Sequence, residues 1–456
     1  MWMHGFPPCN IRKPISTRKK EMSHKKGILA LSPVVLIAVL FTLFGIAWGD
    51  FYRVPLTVVF AIVLIYAACI TPVGTIAERT EAISAGAGER NLLMMIWIFL
   101  LAGSFAQTAK AMGAIDATVS LTLAFLPSAL VLPGLFLAAC FISLSIGTSV
   151  GTIVALAPIA AGMAEPTGIP MSLLVASSVG GAFFGDNLSF ISDTTIVATR
   201  SQGIRLSDKF RANVRIAVPA AILTFGVLLC LGIWHSIGST DFSVSGFDAL
   251  PERTWLKMLP YLCVLVVAAR GVNVLVVLTF GNIMAAALGL VLGSFSGETA
   301  MGAAAEGMKG MTETILVALM AGGMMELIRR GGGIGYLIYH LTRRIKGKRG
   351  AETAIAALVS LTNCCTANNT IAILSVGKIS AEIARRFGVD RCKTASLLDT
   401  FSCVVQGLLP YGAQLLIAAG LTGLNPVEII PCLYYNFILG LMAIGGIVFR
   451  YPKKYS

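Results

Sequence analysis

Long apolar runs alternate with short polar stretches along the whole chain. A helix needs about 20 predominantly apolar residues to cross the hydrocarbon core of a bilayer. Runs of that kind occupy positions 28–48, 54–71, 92–112, 216–235, 256–269, 272–292, 314–328 and 428–449. Two denser regions, 117–199 and 351–423, each have room for three to four further segments, and the first contains no Lys or Arg. The pattern predicts an all-α polytopic membrane protein with about 11–13 transmembrane segments.

The two dense regions follow one plan: a polar break rich in small residues, a helix, a short loop, and a helix that is itself broken. In the first, the breaks are Gly147-Thr-Ser-Val-Gly-Thr152 and Gly185-Asp-Asn-Leu-Ser189, with the loop Glu165-Pro-Thr-Gly-Ile-Pro170 between them. In the second they are Thr362-Asn-Cys-Cys-Thr-Ala-Asn-Asn-Thr370 and Gln406-Gly-Leu-Leu-Pro-Tyr-Gly412, around Gly388-Val-Asp-Arg391. The first loop lacks basic residues and the second has four around it, so the two units are expected to face opposite sides of the membrane. This predicts two inverted repeats, at about 117–199 and 351–423, with broken helices or re-entrant hairpins, a common plan of secondary transporters.

Charge then changes the picture. Charged residues make up 12% of the 456 and mean hydropathy is +0.83, against roughly 25% charged in a soluble domain. The net charge of +13 might suggest a nucleic-acid partner, but little soluble surface exists to carry a basic stripe. Of 35 basic residues, 26 fall in five stretches: 1–26, 200–215, 329–349, 385–393 and 450–454. Basic residues concentrate in cytoplasmic loops, so both termini (a tail at 1–27 and another at 451–456) are expected in the cytoplasm, flanking a transport domain at 28–450. Met22-Ser-His-Lys-Lys-Gly27 reads as a start of its own, which makes residues 1–21 an expected extension or disordered tail. The ten Cys have no metal-site or disulfide spacing.

Ionisable side chains within the membrane are costly and mark function. Here they are few: Asp186, Asp193, Glu326 and Asp399. Asp186 lies in Phe183-Phe-Gly-Asp-Asn-Leu-Ser-Phe-Ile-Ser-Asp-Thr-Thr195, where Asn187, Ser189, Ser192, Thr194 and Thr195 add oxygens. Asp186 and Asp193 are seven positions apart, two turns along one face of a continuous helix. Gly185 is the expected point at which that helix opens. Carboxylate, amide, hydroxyl and freed carbonyl oxygens suit a small hard cation, and a carboxylate that holds either Na+ or H+ has the chemistry of an exchanger. The expected Na+ ligands are Asp186, Asn187, Asp193, Asn368 and Asn369. Asn363, Thr366 and Thr370 supply neutral oxygens at the second break; Thr148, Ser149 and Thr152 do so at the first. Asp399 is a further ion ligand or a partner for Lys378 or a neighbouring Asn, Gln406 belongs to the last break, and Glu326 is placed for a proton pathway.

The run Phe184-Gly-Asp-Asn-Leu-Ser-Phe-Ile-Ser-Asp-Thr-Thr195 resembles the signature of the NhaC-type Na+/H+ antiporters. Ser145-Ile-Gly-Thr-Ser-Val-Gly-Thr152, Phe401-Ser-Cys-Val-Val-Gln-Gly-Leu-Leu-Pro-Tyr-Gly-Ala413, Leu31-Ser-Pro33 and Gly49-Asp-Phe-Tyr52 extend the likeness over nearly the whole chain. Phe190 stands where that family often has Pro. The resemblance implies the broader ion-transporter superfamily: a transport domain moving against a scaffold, often as a homodimer, in the bacterial inner membrane. It implies Na+ and H+ as cargo, with no cofactor, and the lipid bilayer and monovalent cations as the only further partners, without nucleic acid. It also admits organic-acid exchange such as malate for lactate. No Arg stands out in the breaks to take a carboxylate, which favours inorganic cations.

Other classes fit poorly. An intramembrane aspartyl hydrolase of the GxGD kind would need Gly where Phe183 stands; no HExxH occurs, and no His lies mid-span. A passive channel has little use for titratable acids at asymmetric breaks.

Overall fold

The computed structural model describes residues 24–48, 55–71, 74–190, 192–236, 254–270, 272–343, 345–452 and 455. Expectations for residues 1–21 and for the basic residues at 453 and 454 lie outside them. Among the described residues there is no strand. Seven helices are long and apolar enough to cross a membrane, or eight if the bent pair Pro426–Cys432 and Tyr434–Val448 forms one span. Four shorter apolar helices, among them Leu56–Ile70 and Ser149–Gly162, supply further segments. Helices are what a bilayer permits, because every backbone polar group must find its partner within the segment.

The helices that build the site are numbered in chain order. The first unit is α1 (Ser128–Ile146), α2 (Ser149–Gly162), α3 (Met171–Leu188) and α4 (Asp193–Gln202), followed by α5 (Leu206–Ser236) and α6 (Thr312–Arg330). The second unit is α7 (Gly347–Thr366), α8 (Asn369–Phe387), α9 (Arg391–Leu408) and α10 (Ala413–Thr422), followed by α11 (Tyr434–Val448). One constant offset in residue number carries the end of α1 onto that of α7, and α3 and α4 onto α9 and α10 at both ends.

The backbone repeats with it. Gly147 (φ 75°, ψ 22°) and Thr148 (φ −146°, ψ 127°) separate α1 from α2. Ala367 (φ 51°, ψ 18°) and Asn368 (φ −146°, ψ 115°) separate α7 from α8. A left-handed residue followed by an extended one ends one helix and starts the next. Glycine adopts the first conformation freely, whereas Ala367 bears a steric cost of about 1–2 kcal/mol. Two bonds hold it there: its N–H donates to the Asn363 carbonyl (2.8 Å), and its carbonyl accepts from Gln406 Nε2 (3.1 Å). A side-chain tie also recurs at the same offset: Ser143 Oγ donates to the Ala182 carbonyl (2.6 Å) and Asn363 Nδ2 to the Ser402 carbonyl (2.8 Å).

The contacts between the units are reciprocal: α10 packs on α2, and α4 packs on α8. Exchanging the units leaves that pattern unchanged, as an approximate two-fold relation requires. On one side α5 lies against α1, α3 and α9; on the other α6 touches α10. Large apolar side chains such as Phe141, Ile222, Val291 and Leu441 point outward, the arrangement of helices whose outer surface faces lipid.

Candidate functional site

Asp186 stands in the last turn of α3 and is 5% exposed. Ser192 Oγ donates to its Oδ1 (2.5 Å) and Ser149 Oγ to its Oδ2 (2.8 Å). The hydroxyls of Ser192 and Thr194 share a hydrogen bond of 2.9 Å in which either can donate. On the other side Gln414 Nε2 donates to Ser149 Oγ (3.0 Å), and Gln406 Nε2 donates to Gln414 Oε1 (3.1 Å). A chain of donors thus runs from the Ala367 break in the second unit to the carboxylate in the first. The repeat offset carries Asp186 onto Gln406, so only the first unit has a titratable group at this position.

The helix breaks later than expected. α3 continues through Gly185 to Leu188, and the interruption begins at Ser189 (φ −62°, ψ 143°) and ends at Ser192 (φ −65°, ψ 137°). Gly185 instead allows α1 and α3 to touch: a Cβ there would lie 2.3 Å from Ser143 Cβ and 2.4 Å from the Leu144 amide nitrogen. Gly185→Ala must push the two helices apart, at an expected cost of about 1–3 kcal/mol. Thermal unfolding in detergent measures it, and an unchanged melting temperature would contradict this role. The break also separates the two acids. Asp193 opens α4 and is exposed, and it does not share a helix face with Asp186.

A second buried constellation centres on Lys209 in the first turn of α5. Its side chain is 1% exposed, and it forms an ion pair with Asp399 of α9, which is fully buried. Its Nζ also donates to the Asn187 carbonyl (2.5 Å) and to Thr195 Oγ1 (2.6 Å). Asn213, one turn further along α5, donates from Nδ2 to both the Asn187 carbonyl (3.1 Å) and its Oδ1 (2.7 Å). The pattern of basic stretches had assigned Lys209 to a cytoplasmic loop; it is buried because α5 starts deep against the break. Lys393, counted in another such stretch, pairs with buried Glu352 at 2.9 Å. Lys378, the expected partner of Asp399, is exposed.

The remaining expected residues divide as follows. Asn368 caps α8, its Oδ1 accepting from the Ile371 amide (3.0 Å), and Asn369 Oδ1 accepts from the Thr370 amide (3.0 Å). Neither converges on Asp186 as a fellow ligand. Thr366 Oγ1 donates to the Asn368 carbonyl (3.1 Å), Thr152 Oγ1 to the Thr148 carbonyl (3.1 Å) and Ser189 Oγ to the Leu144 carbonyl (3.1 Å). These bonds shape the breaks. Asn363 and Gln406 each keep a buried side-chain oxygen with no hydrogen-bond partner. Glu326 is held by Arg329 (2.6 Å) and Arg330 (2.8 Å), so it is an ion-paired group and not an isolated proton carrier. These three side chains line a cavity of about 650 Å³ that reaches Thr366, Ala367 and Asn368. Two arginines therefore stand on a wall continuous with a break, which the sequence did not indicate.

Sequence reasoning missed Lys209, Gln414 and Asn213. A signal existed for two of them: Lys209 and Asn213 share a helical face with the buried Ile216, Ala217 and Ala220, while Arg211 and Arg215 do not.

Apolar spans, two interrupted units and a buried carboxylate at a break define a polytopic membrane transporter. The family model described as the Na+/H+ antiporter family matches residues 23–234 and 238–450. The chain belongs to that family. It is 26% identical over 386 residues to the Na+/H+ antiporter NhaC of Bacillus subtilis strain 168, covering 78% of this chain and 83% of that one. It is 21% identical over 395 residues to the malate-2H+/Na+-lactate antiporter of the same organism, covering 81% and 83%. A solved structure of the YdaH transporter of Alcanivorax borkumensis aligns over 88% of this chain and 99% of that one, with 13% identity and a TM-score of 0.44.

Proposed function

We propose that this protein exchanges Na+ or Li+ for H+ across the bacterial inner membrane by alternating access, with Asp186 as the group that carries either ion. The observation that carries this reading is a buried carboxylate at a helix break, surrounded by the hydroxyls of Ser149, Ser192 and Thr194. Those oxygens are the hard donors that an alkali cation takes. Asp186 has two unlike oxygens. At Oδ2 every donor from Gln406 onward points toward the carboxylate, so a proton there would meet an opposing N–H chain. At Oδ1, Ser192 can turn to accept from a protonated carboxyl and donate to Thr194. The proton accordingly settles on Oδ1, and Na+ displaces it.

The charge pattern supports opposed units. Glu165 lies between α2 and α3, and Arg385, Arg386 and Arg391 surround the turn between α8 and α9. Basic residues mark the cytoplasmic side, which supports a cytoplasmic side for the termini as well.

A second reading, ion-coupled exchange of small carboxylates, is favoured by Arg329 and Arg330 on the cavity wall and by the malate/lactate relative. Proteoliposomes with an internal pH dye separate the two. Imposed Na+ or Li+ gradients are expected to move protons without any organic acid. Proton movement that requires malate or lactate would replace the first reading with the second.

A further inference from the structure

The Lys209 ammonium has three hydrogens and three oxygen partners of different kinds: the Asp399 carboxylate, the Asn187 carbonyl and the Thr195 hydroxyl. An ammonium is saturated by three acceptors. The same set, a carboxylate, a carbonyl and a hydroxyl, would serve equally as ligands for a monovalent metal cation. Its place is also that of a cation. The Asn187 carbonyl is among the last of α3, where helix carbonyls lack intrahelical partners and the helix dipole favours positive charge. Asn187 lies before the break and Thr195 after it, and Asp399 belongs to the other unit. One positive charge therefore holds together both sides of the α3–α4 interruption and the two units.

We propose that Lys209 is a tethered cation: its ammonium permanently fills a monovalent-cation site formed by Asp399, the Asn187 carbonyl and Thr195. This rests on the reading of Asp186 as the exchanged-ion site and adds to it. Lys209 neutralises Asp399, which leaves Asp186 as the one uncompensated buried carboxylate of this constellation. A single free cation or proton then completes the charge balance. Without the tether, a second cation must be recruited from solution.

Removing the side chain tests the site, and the variants differ in whether they leave room. Lys209→Ala leaves a space lined by the same three oxygens. Lys209→Met fills that space with an uncharged chain of similar length. In choline buffer both are expected to melt below the parent in detergent. Ammonium, methylammonium or Na+ is expected to restore Lys209→Ala and to leave Lys209→Met unchanged. The double variant Lys209→Ala/Asp399→Asn is expected to lose the rescue. In proteoliposomes the Na+ dependence of exchange by Lys209→Ala is expected to steepen from a Hill coefficient of about 1 toward about 2, the ceiling for two sites.

Equal rescue of the Ala and Met variants, or rescue of neither, overturns the proposal. So does a Lys209→Ala protein that cannot be recovered in ammonium buffer while Lys209→Met folds. The melting experiment requires no transport. Rescue without any Na+/H+ exchange by the parent would therefore keep the tethered cation and reject the antiport reading, and the converse result would do the opposite.

Discussion

Asp186→Asn is expected to insert and fold like the parent and to lose Na+-driven proton movement by at least about a hundredfold, the scale on which loss of a titrating group is felt. The amide has the same size and still offers an oxygen to Ser149 or Ser192, so the break keeps its shape. It cannot carry a negative charge at any pH in the working range. Na+ then has no carboxylate to neutralise and the proton no group to ride on. Everted vesicles with a ΔpH-sensitive dye give the measurement, and monodisperse elution of the purified variant confirms the fold. Exchange at the parent rate would remove Asp186 from the mechanism. Asp193→Asn is the matched comparison: it lies on the far side of the break and is exposed, so it is expected to retain most of the exchange.

Asp399→Asn carries the largest expected effect on stability. It leaves the Lys209 ammonium buried at 1% exposure with neutral partners only. Breaking a buried ion pair from one side costs about 3–5 kcal/mol, because the remaining charge is uncompensated. The double variant Lys209→Met/Asp399→Leu replaces the pair with apolar chains and is expected to recover more than half of that loss. Reversible unfolding in mixed micelles reads both. If the single variant costs under about 1 kcal/mol, the pair is not the buried charge couple that the geometry describes.

Much of this protein was legible along its chain. The polar breaks at Gly147–Thr152 and Thr362–Thr370 stood out because a bilayer permits unsatisfied backbone only where protein or a water-filled cavity surrounds it. Asp186 stood out because a carboxylate inside an apolar run needs a reason. The repeat was visible in the order of breaks and loops, although few residues are shared between the units. Its constant offset emerged only with the helix ends in place.

The errors have a common source. Lys209 and Lys393 read as loop charges because hydropathy averages over a window, and each sits at the first turn of a helix beside polar neighbours. Which face of that turn is buried depends on the helices packed against it, and those come from distant parts of the chain. Gly185 read as a hinge because glycine both loosens a helix and lets another helix approach; only the position of Ser143 and Leu144 on α1 selects the second role. Asp193 read as a partner of Asp186 because a continuous helix would align them, and the interruption between Leu188 and Asp193 abolishes that alignment.

The apolar spans, the approximate places of the breaks and the standing of Asp186 as a candidate follow from the cost of polar groups in hydrocarbon. That cost acts on each residue separately and is therefore written along the chain. The pairing of Asp399 with Lys209, the burial of Lys209 and the reach of the Gln406–Gln414 chain to Ser149 follow from contacts between helices that are far apart in the chain. Such contacts depend on pairs of residues far apart in sequence, and no one-dimensional pattern encodes them.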